Sequence, residues 1–228
     1  MTSDAGTLDP RFAPLADLLH DNVRSGVERG ASLCVVQDGE VLVDIWDGWS
    51  DLEGTVPWQR DTIVPVWSIS KVMTNLAALV AVDHGLVDLD EPVATYWPEF
   101  GAAGKQDVTV GHLLGHTSGV SGWAQPVSVD DLYDWDRSTA MLAAQEPWWT
   151  PGTASGYHLL DQGHLVGEVV RRVTGTSVGA WFAREVAAPL GADFHIGLPP
   201  SHDDRVSQLR GCPSSSRSTT PTTSRCAP

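Results

Sequence analysis

The sequence predicts an α+β protein, with a β-hairpin set between helices near its start and mostly helical segments from Ser68 onward. Three observations carry this. Asp38-Gly39 separates two β-rich runs, residues 32–36 and 41–46, and Asp-Gly between such runs is a strong hairpin signal. Val72, Leu76, Leu79, Val80 and Asp83 recur at helical spacing and stop at Gly85, where a C-cap glycine belongs. Two more helical stretches follow late in the chain. One runs through Leu160, His164, Leu165, Val169 and Val173 to Gly175, the other from Val178 through Trp181, Phe182 and Val186 to Pro189.

In chain order, Asp9-Pro10 is a helix start, with an acid at the N-cap and proline at the first helical position. Leu15, Leu18, Leu19, Val23 and Val27 then form one apolar stripe up to Gly30. The hairpin follows, and its Cys34 is expected to be a buried thiol. Residues 57–61 read as a loop, and residues 62–67 as a short strand leading to Ser68. Residues 110–114 read as a short helix. Asp130, Asp131, Asp134 and Asp136 read as the solvated face of a loop. Trp148-Trp149-Thr150-Pro151-Gly152 reads as a turn beside an aromatic wall. Residues 1–210 are expected to form one domain. From Gly211 the chain carries no aromatic or large aliphatic residue, so residues 211–228 are expected to be a disordered tail.

Composition narrows the function classes. A hydrophobic content of 42% with 19% charged residues is that of a globular chain. A formal net charge of −15 argues against nucleic acid and anionic membrane surfaces as partners. The start shows no basic segment followed by an apolar one, and residues 76–82 are too short an apolar run to span a bilayer. The three cysteines show neither zinc nor redox spacing. A cytoplasmic protein without metal or other cofactor is the expectation.

The chemistry centres on Ser68-Ile69-Ser70-Lys71. Ser68 opens the predicted helix, and Lys71 lies one turn later with its ammonium able to reach the serine hydroxyl. A serine hydroxyl is a poor nucleophile until its proton is removed, and a lysine shielded from water can accept it, because desolvation lowers the lysine pKa. The helix N-terminus favours the negative charge that develops. Ser-x-x-Lys in this setting is the signature of a Ser-Lys hydrolase. Read alone, the tetrapeptide also fits a serine that caps a helix and a solvated lysine in the first turn, and only the rest of the chain turns the reading toward a hydrolase.

Other motifs fail on context. Residues 86–93 alternate acids like a calcium loop but lack the EF-hand spacing and glycine. His112 and His116 have the i, i+4 spacing of a zinc pair, yet no glutamate follows His112 and no third ligand is placed. Gly175-Thr176-Ser177-Val178-Gly179 matches the nucleophile-elbow letters without a preceding strand, so it reads as the end of one helix and the cap of the next.

Several stretches together resemble one family. They are Asp61-Thr62 before Ser68-Ile69-Ser70-Lys71, Gly85-Leu86-Val87-Asp88-Leu89-Asp90-Glu91-Pro92-Val93, Tyr96-Trp97-Pro98, Leu113-Leu114-Gly115-His116-Thr117-Ser118-Gly119, and Pro151-Gly152-Thr153 before Tyr157. In this order they resemble the serine β-lactamase-related superfamily, in the branch holding class C β-lactamases, D,D-peptidases and family VIII carboxylesterases. The resemblance covers roughly residues 10–210. It implies a β-lactamase/transpeptidase-like fold, a helical lobe beside an antiparallel sheet. It also implies an acyl-enzyme on Ser68, Lys71 assisting its deprotonation, Tyr157 acting as general base with Lys71, and the Ser68 N–H as one oxyanion donor.

Two departures shape the expectation. Where class C enzymes carry Tyr-x-Asn, this chain carries Tyr157-His158-Leu159, and Leu159 cannot offer the amide hydrogen bond used on β-lactams. That favours small esters or amides as substrates. The family's third motif is also missing at its place, since His195-Ile196-Gly197 has the letters but follows Tyr157 too soon and reads as a turn. A truncated or frameshifted chain is therefore expected, with an incomplete sheet and a hairpin strand at residues 41–45 left exposed and prone to aggregation. The alternative readings are an inactive or weakly active family member, or a β-lactamase or D,D-peptidase. The oligomeric state is not set by the sequence.

Overall fold

The computed structural model describes residues 6–209, so the expected tail lies outside the described residues. The chain divides into two compact units: residues up to Pro65 together with those from Pro200, and residues Val66–Pro199.

The first unit holds a three-stranded antiparallel sheet of β1 (Thr7–Leu8), β2 (Gly30–Gln37) and β3 (Glu40–Gly48), in the order β1-β3-β2. Asp38 (φ 51°) and Gly39 (φ 83°) both take positive φ, as the tight turn of a two-residue hairpin requires. Helix α1 (Ala13–Ser25) follows a 3-10 turn that Asp9 caps, as expected. Its Ala16 and Leu19 pack with Val43 and Ile45 of β3 in a small core. Three expectations are corrected here. The strand at 41–45 is central, paired with β2 on one side and with β1 at Val43 and Asp44 on the other, and Val43 is fully buried. Cys34 is exposed, because the period-two alternation of β2 turns Leu33 and Val35 inward and leaves Cys34 on the outer face. The expected strand at 62–67 also does not form. Ile63 makes one isolated bridge to Val206, and the rest is irregular.

The second unit is helical. It comprises α2 (Ile69–Asp83), α3 (Val93–Tyr96), α4 (Val110–Leu114), α5 (Val129–Tyr133), α6 (Trp135–Ala144), α7 (Gln162–Thr174), α8 (Val178–Phe182) and, after a π turn, α9 (Ala188–Leu190). Its core gathers Trp97, Phe100, Leu113, Leu142, Leu165 and Phe182 around the buried face of α7. Helix α2 ends as the sequence predicts, with Gly85 (φ 69°) past the C-cap, its N–H on the Val82 carbonyl and that of Leu86 on the Ala81 carbonyl.

The buried face of α2 is not the one its large residues mark. Ala77, Ala78 and Ala81 are buried, while Val72 is 60% and Leu79 45% exposed. Small residues let α7 and α8 approach closely, and the Trp181 indole N–H reaches the Ala77 carbonyl at 2.9 Å. The acids read as a solvated loop instead organise two helices. Asp131 completes a capping box with Ser128 at the start of α5, and Asp134 caps α6.

Candidate active site

Ser68 occupies the N-cap position of α2, but its side chain makes no capping hydrogen bond. The residue before it, Trp67, sits at φ 49°, a left-handed conformation that costs a non-glycine residue about 1–3 kcal/mol and clusters at functional sites. The Trp67 carbonyl accepts from the Ser70 N–H at 3.1 Å and from the Ser70 hydroxyl at 2.7 Å, which locks the turn. The Ser68 hydroxyl is thereby left to the exposed side, where Lys71 Nζ donates to Ser68 Oγ at 3.4 Å.

Lys71 has a second acceptor, the Leu159 carbonyl, at 2.9 Å. Its Nζ also stands 5.0 Å from the centroid of the Tyr157 ring. The Tyr157 phenol is held below its ordinary value, first by hydrogen bonding with Ser68 and then by Lys71, while burial acts the other way. Ser68, Lys71 and Tyr157, named from the sequence, are thus brought together in one unit.

Behind Tyr157 lies a polar layer that the sequence reading left aside. His158 is fully buried, with Nδ1 2.7 Å from the Gly156 carbonyl and Nε2 2.8 Å from Ser118 Oγ. Burial pushes its imidazole down to about 4. At the N-terminus of α7, Asp161 is fully buried too, and neither carboxyl oxygen accepts a hydrogen bond from another described residue. Burial drives its pKa up to about 7, with Lys71 opposing.

The rejected motifs resolve into packing. His112 Nδ1 accepts the Thr109 N–H at 3.1 Å in the cap of α4, whereas His116 turns toward Tyr157. Among the described residues no group of three or more His, Cys, Asp or Glu side chains could hold a metal. Gly175 is a left-handed C-cap, Ser177 caps α8, and a Cβ on Gly179 would lie 2.0 Å from the Ile196 carbonyl, so that glycine serves close packing. Asp88 accepts the Asp90 N–H at 2.9 Å, which makes the acidic stretch a turn. No helix among the described residues is long and apolar enough to cross a membrane.

Ser68 at a helix start, Lys71 one turn on and Tyr157 beside them form the candidate site, and the family model for beta-lactamase matches residues 15–227. The chain belongs to the beta-lactamase family. Within this family it is 39% identical over 197 residues to the esterase/beta-lactamase LipL of Mycobacterium tuberculosis, covering 86% of this chain and 46% of LipL. A crystal structure of a family VIII carboxylesterase superposes with a TM-score of 0.86 at 47% identity, covering 90% of this chain and 57% of that one. A penicillin-binding-protein homologue from Caulobacter crescentus gives a TM-score of 0.86 at 39% identity, over 91% of this chain and 56% of that one. The α+β, β-lactamase/transpeptidase-like fold expected from the sequence is therefore shown. The chain spans about half the length of the relatives it matches.

Three features of the site were not visible in the sequence: the left-handed Trp67, the Leu159 carbonyl as partner of Lys71, and the His116–His158 layer. The first two are backbone features. The third had a signal, since His116 and His158 each adjoin a motif residue, but nothing in the letters joins them.

Proposed function

We propose that this protein is a serine hydrolase of small esters or amides, working through an acyl-enzyme on Ser68. The observation that carries the reading is the convergence of Lys71 on both Ser68 Oγ and the Tyr157 ring. Tyr157, as phenolate, takes the proton of Ser68 while Oγ bonds to the substrate carbonyl carbon. The tetrahedral intermediate then expels the alcohol or amine, which Tyr157 protonates. Tyr157, a phenolate again, takes a proton from the water that attacks the acyl-enzyme, and the second tetrahedral intermediate expels Ser68 Oγ, which Tyr157 protonates as the acid product leaves. Lys71 holds the phenolate by charge throughout, and the Ser68 N–H serves as one oxyanion donor.

Esters are favoured over β-lactams because position 159 offers the substrate an aliphatic side chain, 62% exposed, where an amide would be needed. The name of the carboxylesterase neighbour points the same way, while that of LipL carries both activities. The purified chain should hydrolyse p-nitrophenyl butyrate, with the activity lost in Ser68→Ala. Efficient nitrocefin turnover without ester turnover would reverse the preference.

A second reading, a family member with turnover barely above background, is favoured by one observation. Among the described residues His195, Ile196 and Gly197 lie in irregular backbone, and no strand there carries a third motif. Lacking one oxyanion donor costs about a hundred- to a thousandfold in rate. Ester turnover that slow, together with normal acylation of Ser68 by a reactive probe, would select this reading.

A further inference from the structure

His116 follows α4 and takes φ 60°, again a left-handed non-glycine residue beside the site. Its carbonyl accepts the Gly156 N–H at 3.0 Å and the Ser155 hydroxyl at 3.4 Å. Its ring Nδ1 accepts the His158 N–H at 3.1 Å. One residue therefore fastens the backbone immediately before and immediately after Tyr157. Its ring also lies against Tyr157, with centroids 4.9 Å apart and planes tilted by 49°. Tyr157 needs such a support, because it is 51% exposed and a half-exposed tyrosine on a loop is otherwise free to swing.

His158 braces the same loop from beneath. Its partners require Nδ1–H to donate to the Gly156 carbonyl and Nε2 to accept the Ser118 hydroxyl, and Ser118 Oγ in turn accepts the Val120 N–H at 3.0 Å. Its ring stands 4.9 Å from that of His116. Its backbone N–H is the one that His116 Nδ1 receives.

We propose that His116 is a positioning residue for Tyr157, acting through a bare Nδ1 that receives the His158 N–H. The proposal rests on the reading of Tyr157 as the base. An Nδ1 facing an N–H donor must carry no proton, so His116 works as the neutral Nε2–H tautomer. Burial, and then the nearby Lys71 ammonium, both disfavour its charged form.

The test uses the full chain with two variants, His116→Asn and His116→Gly. Both residues tolerate a left-handed backbone, but only asparagine supplies an oxygen acceptor near the place of Nδ1. Two quantities are read: the Tyr157 pKa, by ultraviolet difference titration against Tyr157→Phe, and the maximal rate at which a fluorophosphonate modifies Ser68. Wild type and His116→Asn should titrate Tyr157 at the same value, below 10, and react within about threefold of each other. His116→Gly should titrate upward toward 10 and react at least about tenfold more slowly at unchanged probe affinity, because misplacing a reacting group by about 1 Å costs up to a hundredfold. A wild-type titration in His116→Gly, or an equal loss in His116→Asn, would overturn the proposal.

If wild type is not modified at Ser68, the base reading falls, while the titration still decides the role of His116. If His116→Gly does not fold, nitrogen NMR of the wild-type His116 ring decides instead. A bare Nδ1 and a protonated Nε2 at neutral pH support the proposal, and a protonated Nδ1 contradicts it.

Discussion

Lys71 Nζ lies closer to the carbonyl of Leu159, at 2.9 Å, than to the hydroxyl of Ser68, at 3.4 Å. The lysine is therefore steered by the main chain of the Tyr157 loop and not by a side chain at position 159. Leu159→Ala should leave the rate of Ser68 acylation within about twofold, whereas Lys71→Ala should lower it by about a hundred- to ten-thousandfold, the range for losing general-base catalysis, because Tyr157 then lacks the charge that keeps it a phenolate. Stopped-flow labelling with a fluorogenic ester measures both. A large loss in Leu159→Ala would mean that its side chain, not its carbonyl, sets the lysine.

Asp161 makes stability fall as pH rises. Its carboxyl titrates near 7 in the folded chain against an ordinary 3.8, so the folded state holds the proton more tightly. Its contribution is complete below about pH 3.8 and is lost as pH rises through about 7. At 1.36 kcal/mol per pH unit the loss is on the order of 4 kcal/mol. Urea unfolding of Asp161→Asn should lack this decline. An Asp161→Asn chain that tracks wild type between pH 4 and 8 would contradict it.

His158 acts with the opposite sign. Its folded pKa of about 4 lies below the ordinary 6.5, so its contribution is present above pH 6.5 and is lost as pH falls through about 4. The loss is roughly 3 kcal/mol by the same conversion. The two slopes oppose each other in wild type. In Asp161→Asn the opposing slope is gone, the His158 slope acts together with the same-signed one of His116, and that variant should become markedly more acid-labile than wild type between pH 6.5 and 4 in the same urea measurements.

The two faces of α2 should answer differently to substitution. Ala77 is fully buried against α7 and α8, so Ala77→Leu should destabilise by about 1–3 kcal/mol through overpacking. Val72 is 60% exposed, and Val72→Ser should change stability by no more than about 0.5 kcal/mol. Chemical denaturation of the pair checks the assignment, and the reverse ranking would mean that the large residues, not the alanines, face the core.

Most elements were legible where a local signal fixes backbone geometry. Asp38-Gly39, Asp9-Pro10 and Gly85 each predicted the turn, cap or stop that forms, because each has a narrow conformational preference. Helices α5 and α6 were missed because Asp131 and Asp134 read as surface charge, when their position at helix starts makes them caps. Periodicity found α2 but not its buried face, since two apolar stripes compete there and close approach selects the smaller one. At the site the motif letters named Ser68, Lys71 and Tyr157. The supports of those residues are carbonyls, a left-handed Trp67 and contacts between histidines 42 residues apart in the chain, which no local pattern encodes.

The central claim is that Ser68 is the nucleophile. Intact-mass analysis and peptide mapping after fluorophosphonate treatment test it most directly. The account predicts one adduct per chain on the peptide carrying Ser68, fast in wild type, slowed in Lys71→Ala and Tyr157→Phe, and absent in Ser68→Ala. An adduct on another residue, or labelling that persists unchanged in Ser68→Ala, would contradict it.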